Sequence, residues 1–370
     1  MKKLVFTFVA ACITIVLFGQ DYACSFTYKH MSGLVGGDKI IVDLIISGSD
    51  ISGTVTFPEK LVEEGTLAGM VQTQRLEGSI DEHGVASILA YSQNIESGEY
   101  SGMLDDMFKG TYREHKSGIS RSFIIEEDYS SGSITFNGYC ISRDSVLLDT
   151  IDSPLAHITL SLLLPEDIIS MAPLKAAIMK AFFGQQIIDS VPDDSILYVY
   201  SNNYFSKYLD ANIDIYDGGY SFNWEMIATS YININTDDIL VYRADNFAYT
   251  GGAHGMGISR FLVFDNKEMK QLALDEIFDA GYEDELSKLL ERKYRMDYYL
   301  GPEQSLTEAG LFENHIPLSD NFYLTTNSIG FYYNPYELAP YSMGAISINL
   351  TYDEILPLMK IDSPVMRMVK

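Results

Sequence analysis

The sequence predicts two unlike folding regions in tandem: an all-β antiparallel meander over residues 21–150, then an α+β region over residues 151–370, with mixed sheets and several helices. Three observations carry this. Short alternating apolar runs recur at roughly ten-residue intervals across 25–150, separated by Gly, Ser, Asn or Asp turns, as in antiparallel sandwiches and barrels. Helical spacing of apolar residues first appears at 173–183. Beyond it, strands and helices alternate irregularly, which favours α+β over a repeating βαβ unit.

Ahead of the meander, residues 1–20 read as a secretory signal peptide. Lys2 and Lys3 form a basic start, residues 4–18 an apolar run too short to span a bilayer comfortably, and Gly19/Gln20 a cleavage point. Val9-Ala10-Ala11-Cys12 also fits a lipobox, so a lipid anchor at Cys12 stays open beside plain export. Either way the location is extracytoplasmic: periplasm, cell surface or medium. No later segment has eighteen consecutive apolar residues, so no transmembrane span is expected.

Within the meander, strands are expected at 40–46, 51–57, 76–80, 85–91, 99–104, 108–112, 122–126 and 133–140. A weak repeat runs through them: Ser52-Gly53-Thr54-Val55, Glu77-Gly78-Ser79-Ile80, Ser101-Gly102-Met103-Leu104 and Lys109-Gly110-Thr111-Tyr112. Its plain meaning is structural, a glycine at a matching place in successive strands. Cys24 and Cys140 flank this region. Export permits a bridge joining its first and last strands, and two buried thiols are the alternative.

In the second region, Pro173 suits a first helical turn and Gly184 a stop, giving a helix over 173–183. A tyrosine-rich helix follows over 196–209, then strands at 213–216, 221–229, 231–235, 239–248 and 257–265. Trp224, the single tryptophan, falls in one of these and reads as core. The helix over 283–298 is the clearest, with Leu286, Leu289, Leu290 and Tyr294 on one face. A hairpin at 322–326 and 329–333, a proline–tyrosine loop, a strand at 345–350 and a helix at 352–358 close the chain. Thr351 and Glu354 form a capping box for that last helix. We divide the region into a companion part, 151–245, and a C-terminal part, 246–370, that together make one lobe.

Two motifs stand out. Tyr249-Thr250-Gly251-Gly252-Ala253-His254-Gly255 follows a strand, and Ile329-Gly330-Phe331-Tyr332-Tyr333-Asn334-Pro335-Tyr336-Glu337-Leu338-Ala339-Pro340-Tyr341 comes about eighty residues later. The pair resembles the extracytoplasmic domain shared by the anti-sigma factor RsiV and the peptidoglycan deacetylase PdaC, over roughly 155–360. That resemblance implies an α/β fold in the envelope and a binding role, toward lysozyme in the one branch and beside a catalytic domain in the other. Neither a sigma-binding segment nor a deacetylase domain is found in this sequence, so a binding domain without either output is the expectation.

Read physically, the first motif is a glycine-rich turn able to approach a ligand closely, with His254 as a proton-transfer or contact group. It lacks the lysine of a P-loop and the third spaced glycine of a dinucleotide fingerprint. The second motif offers Tyr332, Tyr333, Tyr336 and Tyr341 as rigid amphipathic contact area for sugar rings or a protein. The candidate ligand residues are thus Tyr249, Gly251, Gly252, His254, Tyr332, Tyr333, Tyr336 and Tyr341. The structural alternative is that these residues only shape and fill the turn and hairpin.

Catalytic signals are weak. The six histidines never stand at i, i+3 or i, i+4, and Asp210, Asn212, Asp214 and Asp217 lack the Gly and Glu of a calcium loop, so no metal or cofactor is expected. A G-x-S-x-G elbow is missing. Carboxylate pairs such as Asp237-Asp238 or Glu126-Glu127 arise by numbers alone among 51 acids. Against 25 basic residues these acids give a net charge of −26, which excludes nucleic acid as a partner and favours a cationic one. The reading is a non-enzymatic envelope binding protein for a lysozyme-like basic protein or peptidoglycan fragments. An envelope scaffold is the first alternative and a polysaccharide hydrolase the second.

Overall fold

The computed structural model describes residues 20–61, 71–92, 94–166, 168–184, 191–219 and 222–368. The segment expected to be a signal peptide, but for Gln20, and with it Cys12 of the expected lipobox, lie outside them.

After a two-residue strand β1 (Asp21–Tyr22), eight strands close into an up-and-down antiparallel barrel: β2 (Phe26–Val35), β3 (Asp38–Ser47), β4 (Asp50–Leu61), β5 (Val71–Ile80), β6 (Val85–Ser92), β7 (Ile95–Leu104), β8 (Met107–Glu114) and β9 (Ser120–Glu127). Each strand pairs with its sequence neighbour, and β9 returns to β2 from Val35↔Phe123 to Met31↔Glu127. Alternation sends one side of each strand inward, as Ile40, Val42 and Leu44 show along β3. Eight strands leave an interior that side chains can fill. Here small Ala86 and Ala90 accompany an aromatic stack: Tyr100 on Tyr112 at 4.5 Å and Phe108 edge-on to Phe123 at 4.6 Å. The barrel is a packed core.

The four-fold glycine repeat is the means of closing it. Gly102 and Gly110 face each other across β7 and β8, and a Cβ on either would lie 2.1 Å from the opposite strand's carbonyl, Lys109 O or Ser101 O. Such positions let a sheet turn a corner that any side chain would block.

Next come β10 (Phe136–Val146), β11 (Leu155–Pro165), helices α1 (Ala172–Phe183) and α2 (Asp193–Asn212), then β12 (Trp224–Asn235), β13 (Ile239–Tyr249), β14 (Met256–Asp265) and β15 (Lys270–Gln271). These strands and β1 form a seven-stranded sheet in the order β1-β10-β11-β12-β13-β14-β15. Only β11 and β12 run parallel, and α1 with α2 make the crossover between them. One face, carrying Leu160, Leu240, Tyr242 and Phe264, is buried against the two helices. On the other, Ile239, Val241 and Val263 join a second core.

That core belongs to α3 (Leu274–Ile277), α4 (Glu283–Asp297), the three-stranded antiparallel sheet β16 (Phe322–Leu324), β17 (Ser328–Tyr333), β18 (Ile346–Thr351), and α5 (Tyr352–Ile355). Leu286, Leu289, Leu290 and Tyr294 form the buried stripe of α4. Thr351 and Glu354 make a reciprocal capping box on α5. The architecture is therefore an N-terminal antiparallel β-barrel followed by a mixed α+β region. Among the described residues no helix is long and apolar enough to cross a membrane.

Three local expectations change. The strand expected at 133–140 as the last of the meander is β10, in the large sheet. Pairing of β9 with β2 leaves the barrel no free edge, so the next strand must pair elsewhere, and it matches β11 over eleven residues. Residues 213–216 are a turn rather than a strand, since Asn212 Nδ2 donates to Tyr208 O at the end of α2 and Ile213 and Ile215 stay exposed. Residues 221–229 and 231–235, read as two strands, give the single strand β12 from Trp224, whose ring packs 5.4 Å from Tyr208.

Cys24 and Cys140 form a disulfide, with Cα atoms 6.1 Å apart. It ties the entry of the barrel to β10 of the large sheet rather than to a last barrel strand. Close by, a Cβ on Gly138 would sit 1.9 Å from Phe26 O, so only glycine admits the barrel's first strand there. A buried network reinforces the junction: Tyr28 OH donates to Asp43 Oδ1 at 2.5 Å, and Asn235 Nδ2 donates to Tyr28 OH at 3.0 Å.

Candidate functional site

The glycine-rich motif is the connection from β13 to β14. Gly251 and Gly252 take φ of +90° and +99°, in the region that favours glycine, and the reversal is held by Tyr249 OH donating to Gly252 O at 3.0 Å. His254 is exposed. Its Nδ1–H donates to Gly255 O at 3.0 Å, which leaves the Nε2 lone pair outward. Tyr336 OH lies 3.5 Å from that nitrogen, and the Tyr341 ring stacks on the imidazole at 3.8 Å and 14°.

Both tyrosines come from the loop after β17, and asparagines hold that loop in place. Asn334 is buried. Its Oδ1 accepts from Ser259 N–H at 2.7 Å, its Nδ2 donates to Ser259 O at 3.3 Å, and its own N–H donates to Glu337 Oε2 at 2.7 Å. Asn321 does the same one step along, with Oδ1 accepting from Phe261 N–H and Nδ2 donating to Ser259 O, both at 2.9 Å. Strand β15 covers β14 only at Phe264 and Asp265, so two side-chain amides close the edge that a further strand would have paired. The loop then turns at Tyr336, whose φ of +72° costs a non-glycine residue about 1 kcal/mol or more. Its ring stands outward, 48% exposed.

Between this loop and the sheet lies a groove of about 670 Å³. Its floor is the outer face of β12, β13 and β14, with Ile227, Tyr231, Asp245, Phe247 and Gly257, and its wall is Tyr332, Pro335 and Tyr341. Arg243 reaches Asp245 Oδ2 at 3.2 Å and lies over the Tyr231 ring at 4.2 Å. Asp245 Oδ1 and Arg243 Nε are buried without hydrogen-bond partners. The rest of this acid–base pair is partly exposed, in and beside an aromatic-walled groove.

The fold therefore brings Tyr249, Gly251, Gly252, His254, Tyr336 and Tyr341 to one corner and sets Tyr332 in the groove wall. Tyr333 turns inward, buried, with its OH donating to Pro317 O at 2.6 Å, and burial raises its hydroxyl pKa. Sequence reading passed over Asp245, Arg243, Phe247 and both asparagines. Asn334 stands beside Pro335 inside a motif already singled out, which was the one available signal. Among the described residues no three His, Cys, Asp or Glu side chains gather as a metal-binding group.

A domain family described as a protein of unknown function, DUF3298, matches residues 275–353, the stretch from α3 to α5 that contains the tyrosine loop. Among solved structures, a DUF3298-family protein from Bacteroides fragilis matches at 24% identity with a TM-score of 0.60, over 65% of this chain and 98% of its own. A DUF3298-family protein from Pseudomonas aeruginosa matches at 18% identity and a TM-score of 0.44, over 61% and 95%. The first likeness shows a shared fold. No curated protein matches the chain.

Proposed function

We propose that this chain is an exported, non-enzymatic binding protein of the cell envelope and that the groove between the tyrosine loop and the sheet holds its ligand, a cell-wall glycan fragment. The observation that carries this is the aromatic wall of Tyr332 and Tyr341 standing over the partly exposed ion pair of Asp245 and Arg243 in and beside the groove floor. Sugar rings present apolar faces to aromatic rings and hydroxyls to such donors and acceptors. The likeness of both motifs to the RsiV and PdaC extracytoplasmic domain supports the envelope role. The basic and apolar leader and the Cys24–Cys140 bridge support export.

A second reading rests on charge. A net charge of −26 steers a strongly basic protein of the lysozyme kind toward this surface. Calorimetric titration of residues 21–370 with peptidoglycan fragments, and separately with lysozyme at two salt concentrations, distinguishes the two. Saturable fragment binding abolished by Tyr341→Ala supports the glycan reading. Lysozyme binding that survives salt, with fragments silent, replaces it. Silence toward both overturns the groove as a binding site for either.

A further inference from the structure

We infer that the groove takes an oligosaccharide rather than a single ring, and that the ligand continues along the sheet onto a second subsite formed by Ser142, Asp144, His157 and Thr159. This rests on the glycan reading of the groove and extends it.

The register makes the surface continuous. Ile227, in the groove floor, stands directly opposite Thr159 on β11, and Thr159 opposite Ser142 on β10. His157 faces Asp144 in the next row. All lie on the side of the sheet away from α1 and α2, and each is partly exposed, Ile227 to 38%. From β14 to β10 are four strand spacings, about 19 Å at ~4.8 Å each. The groove alone occupies the first part of that path.

The patch is a chain of hydrogen bonds. Asp144 accepts from Tyr22 OH on Oδ2 and meets His157 Nδ1 on Oδ1, each at 2.5 Å. The carboxylate thereby fixes the imidazole proton on Nδ1, so Nε2 accepts from Thr159 Oγ1 at 2.9 Å. Ser142 Oγ lies 3.1 Å from Thr159 Oγ1. With the Thr159 proton directed to histidine, the hydroxyl oxygens keep lone pairs for a ligand that brings hydroxyl donors. Tyr22 is 42% exposed beside this patch, so aromatic rings bracket the path at both ends, Tyr341 at one and Tyr22 at the other.

The order Asp144, His157, Thr159 matches an orienter, a base and a hydroxyl nucleophile. Acyl transfer also needs hydrogen-bond donors for the oxyanion, and β11 lies between two paired strands whose ladders occupy its backbone N–H groups here. The arrangement binds rather than cleaves. Beside the Asp144 carboxylate it also prefers neutral sugars to anionic ones.

The test is a chain-length series on residues 21–370, with N-acetylglucosamine oligomers of two, four and six units. Affinity is expected to rise at least tenfold from dimer to hexamer. Thr159→Val and His157→Gln, made singly at half-exposed sites, should each remove most of that rise and leave dimer binding unchanged. Tyr22→Ala, which removes the ring at the far end of the path together with the hydroxyl bound to Asp144, gives a third variant with the same expected pattern. Equal affinity across the series, or a rise that survives all three substitutions, overturns the second subsite while the groove stands. Absence of binding by every oligomer overturns the groove reading and this inference with it.

Discussion

Asn334 and Ser259 are joined through both backbone groups of the serine: the amide oxygen takes the Ser259 N–H and the amide nitrogen donates to the Ser259 carbonyl. One side chain therefore stands in for a β-strand at the open edge of β14 and sets the distance between the tyrosine loop and the sheet. Asn334→Ala leaves the half-buried Ser259 N–H without its partner and the Ser259 carbonyl with Asn321 alone. The expected cost is about 1–3 kcal/mol, read as a lowered melting temperature. Hydrogen exchange at Ser259 should rise with it, and glycan binding should weaken although no ligand-facing group has been removed.

Tyr336 gives a test with an inverted sign. At ordinary φ, alanine is more stable than glycine, but at +72° the Cβ is the source of strain. Tyr336→Gly should therefore be more stable than Tyr336→Ala by roughly 1 kcal/mol. Both should lose binding alike, since both remove the ring beside His254. If the alanine variant is the more stable, the left-handed backbone at this position is wrong.

Much of the fold was legible because it is locally encoded. The apolar stripe of α4 and the capping box of α5 sit within a few residues of the groups they engage. Closure of the barrel was not, because Val35 and Phe123 meet across nearly ninety positions and a meander reads alike whether its end strands pair or stay apart. The repeat of Gly53, Gly78, Gly102 and Gly110 was visible, but its meaning as corner positions depends on carbonyls from neighbouring strands. In the site, the turn and the loop announced themselves through glycine and tyrosine. Asp245 and Arg243 did not, since an i, i+2 acid–base pair on a strand is ordinary until a groove opens above it.

The barrel corners predict a steep response. Gly102→Ala brings a Cβ within 2.1 Å of Lys109 O, where backbone on both sides has no room to move. Overpacking of this kind costs about 1–3 kcal/mol and more where backbone must shift. Soluble yield and urea midpoint should both fall, with Gly110→Ala behaving alike because it faces the same corner.

The disulfide adds stability by restricting the unfolded chain across a sequence separation of 116 residues. Cys24→Ser with Cys140→Ser should lower stability by about 2–4 kcal/mol, and reductant should lower the melting temperature of the parent to that of the double variant. A parent indifferent to reductant would mean the two thiols are free in the folded protein.

Acid sensitivity has an identifiable contributor in Asp128. Hydrogen bonds from the Ser130 side chain, from Ser32 Oγ at 2.7 Å and from Ser130 N–H at 2.9 Å hold its carboxyl down to about 2. A folded pKa below the unfolded one means stability that is fully present above about pH 4 and is lost as pH falls toward 2. Asp128→Asn should flatten that stretch of the stability curve and leave the neutral range parallel to the parent. An unchanged acid limb would assign the loss to other carboxylates.

Gly257 separates fold from function most cleanly. It lies in the groove floor opposite Phe247, its φ is not positive, and a Cβ built on it meets no atom within 4 Å. Substitution therefore adds atoms to the groove and to nothing else. Gly257→Ala should fold with stability within ~0.5 kcal/mol of the parent, as surface changes usually do. Gly257→Leu should fold as well, yet bind glycan fragments at least tenfold more weakly, because its side chain occupies the space between Phe247 and Tyr341. A leucine variant that folds normally and binds like the parent would place the ligand elsewhere on the molecule, whatever the aromatic substitutions had shown.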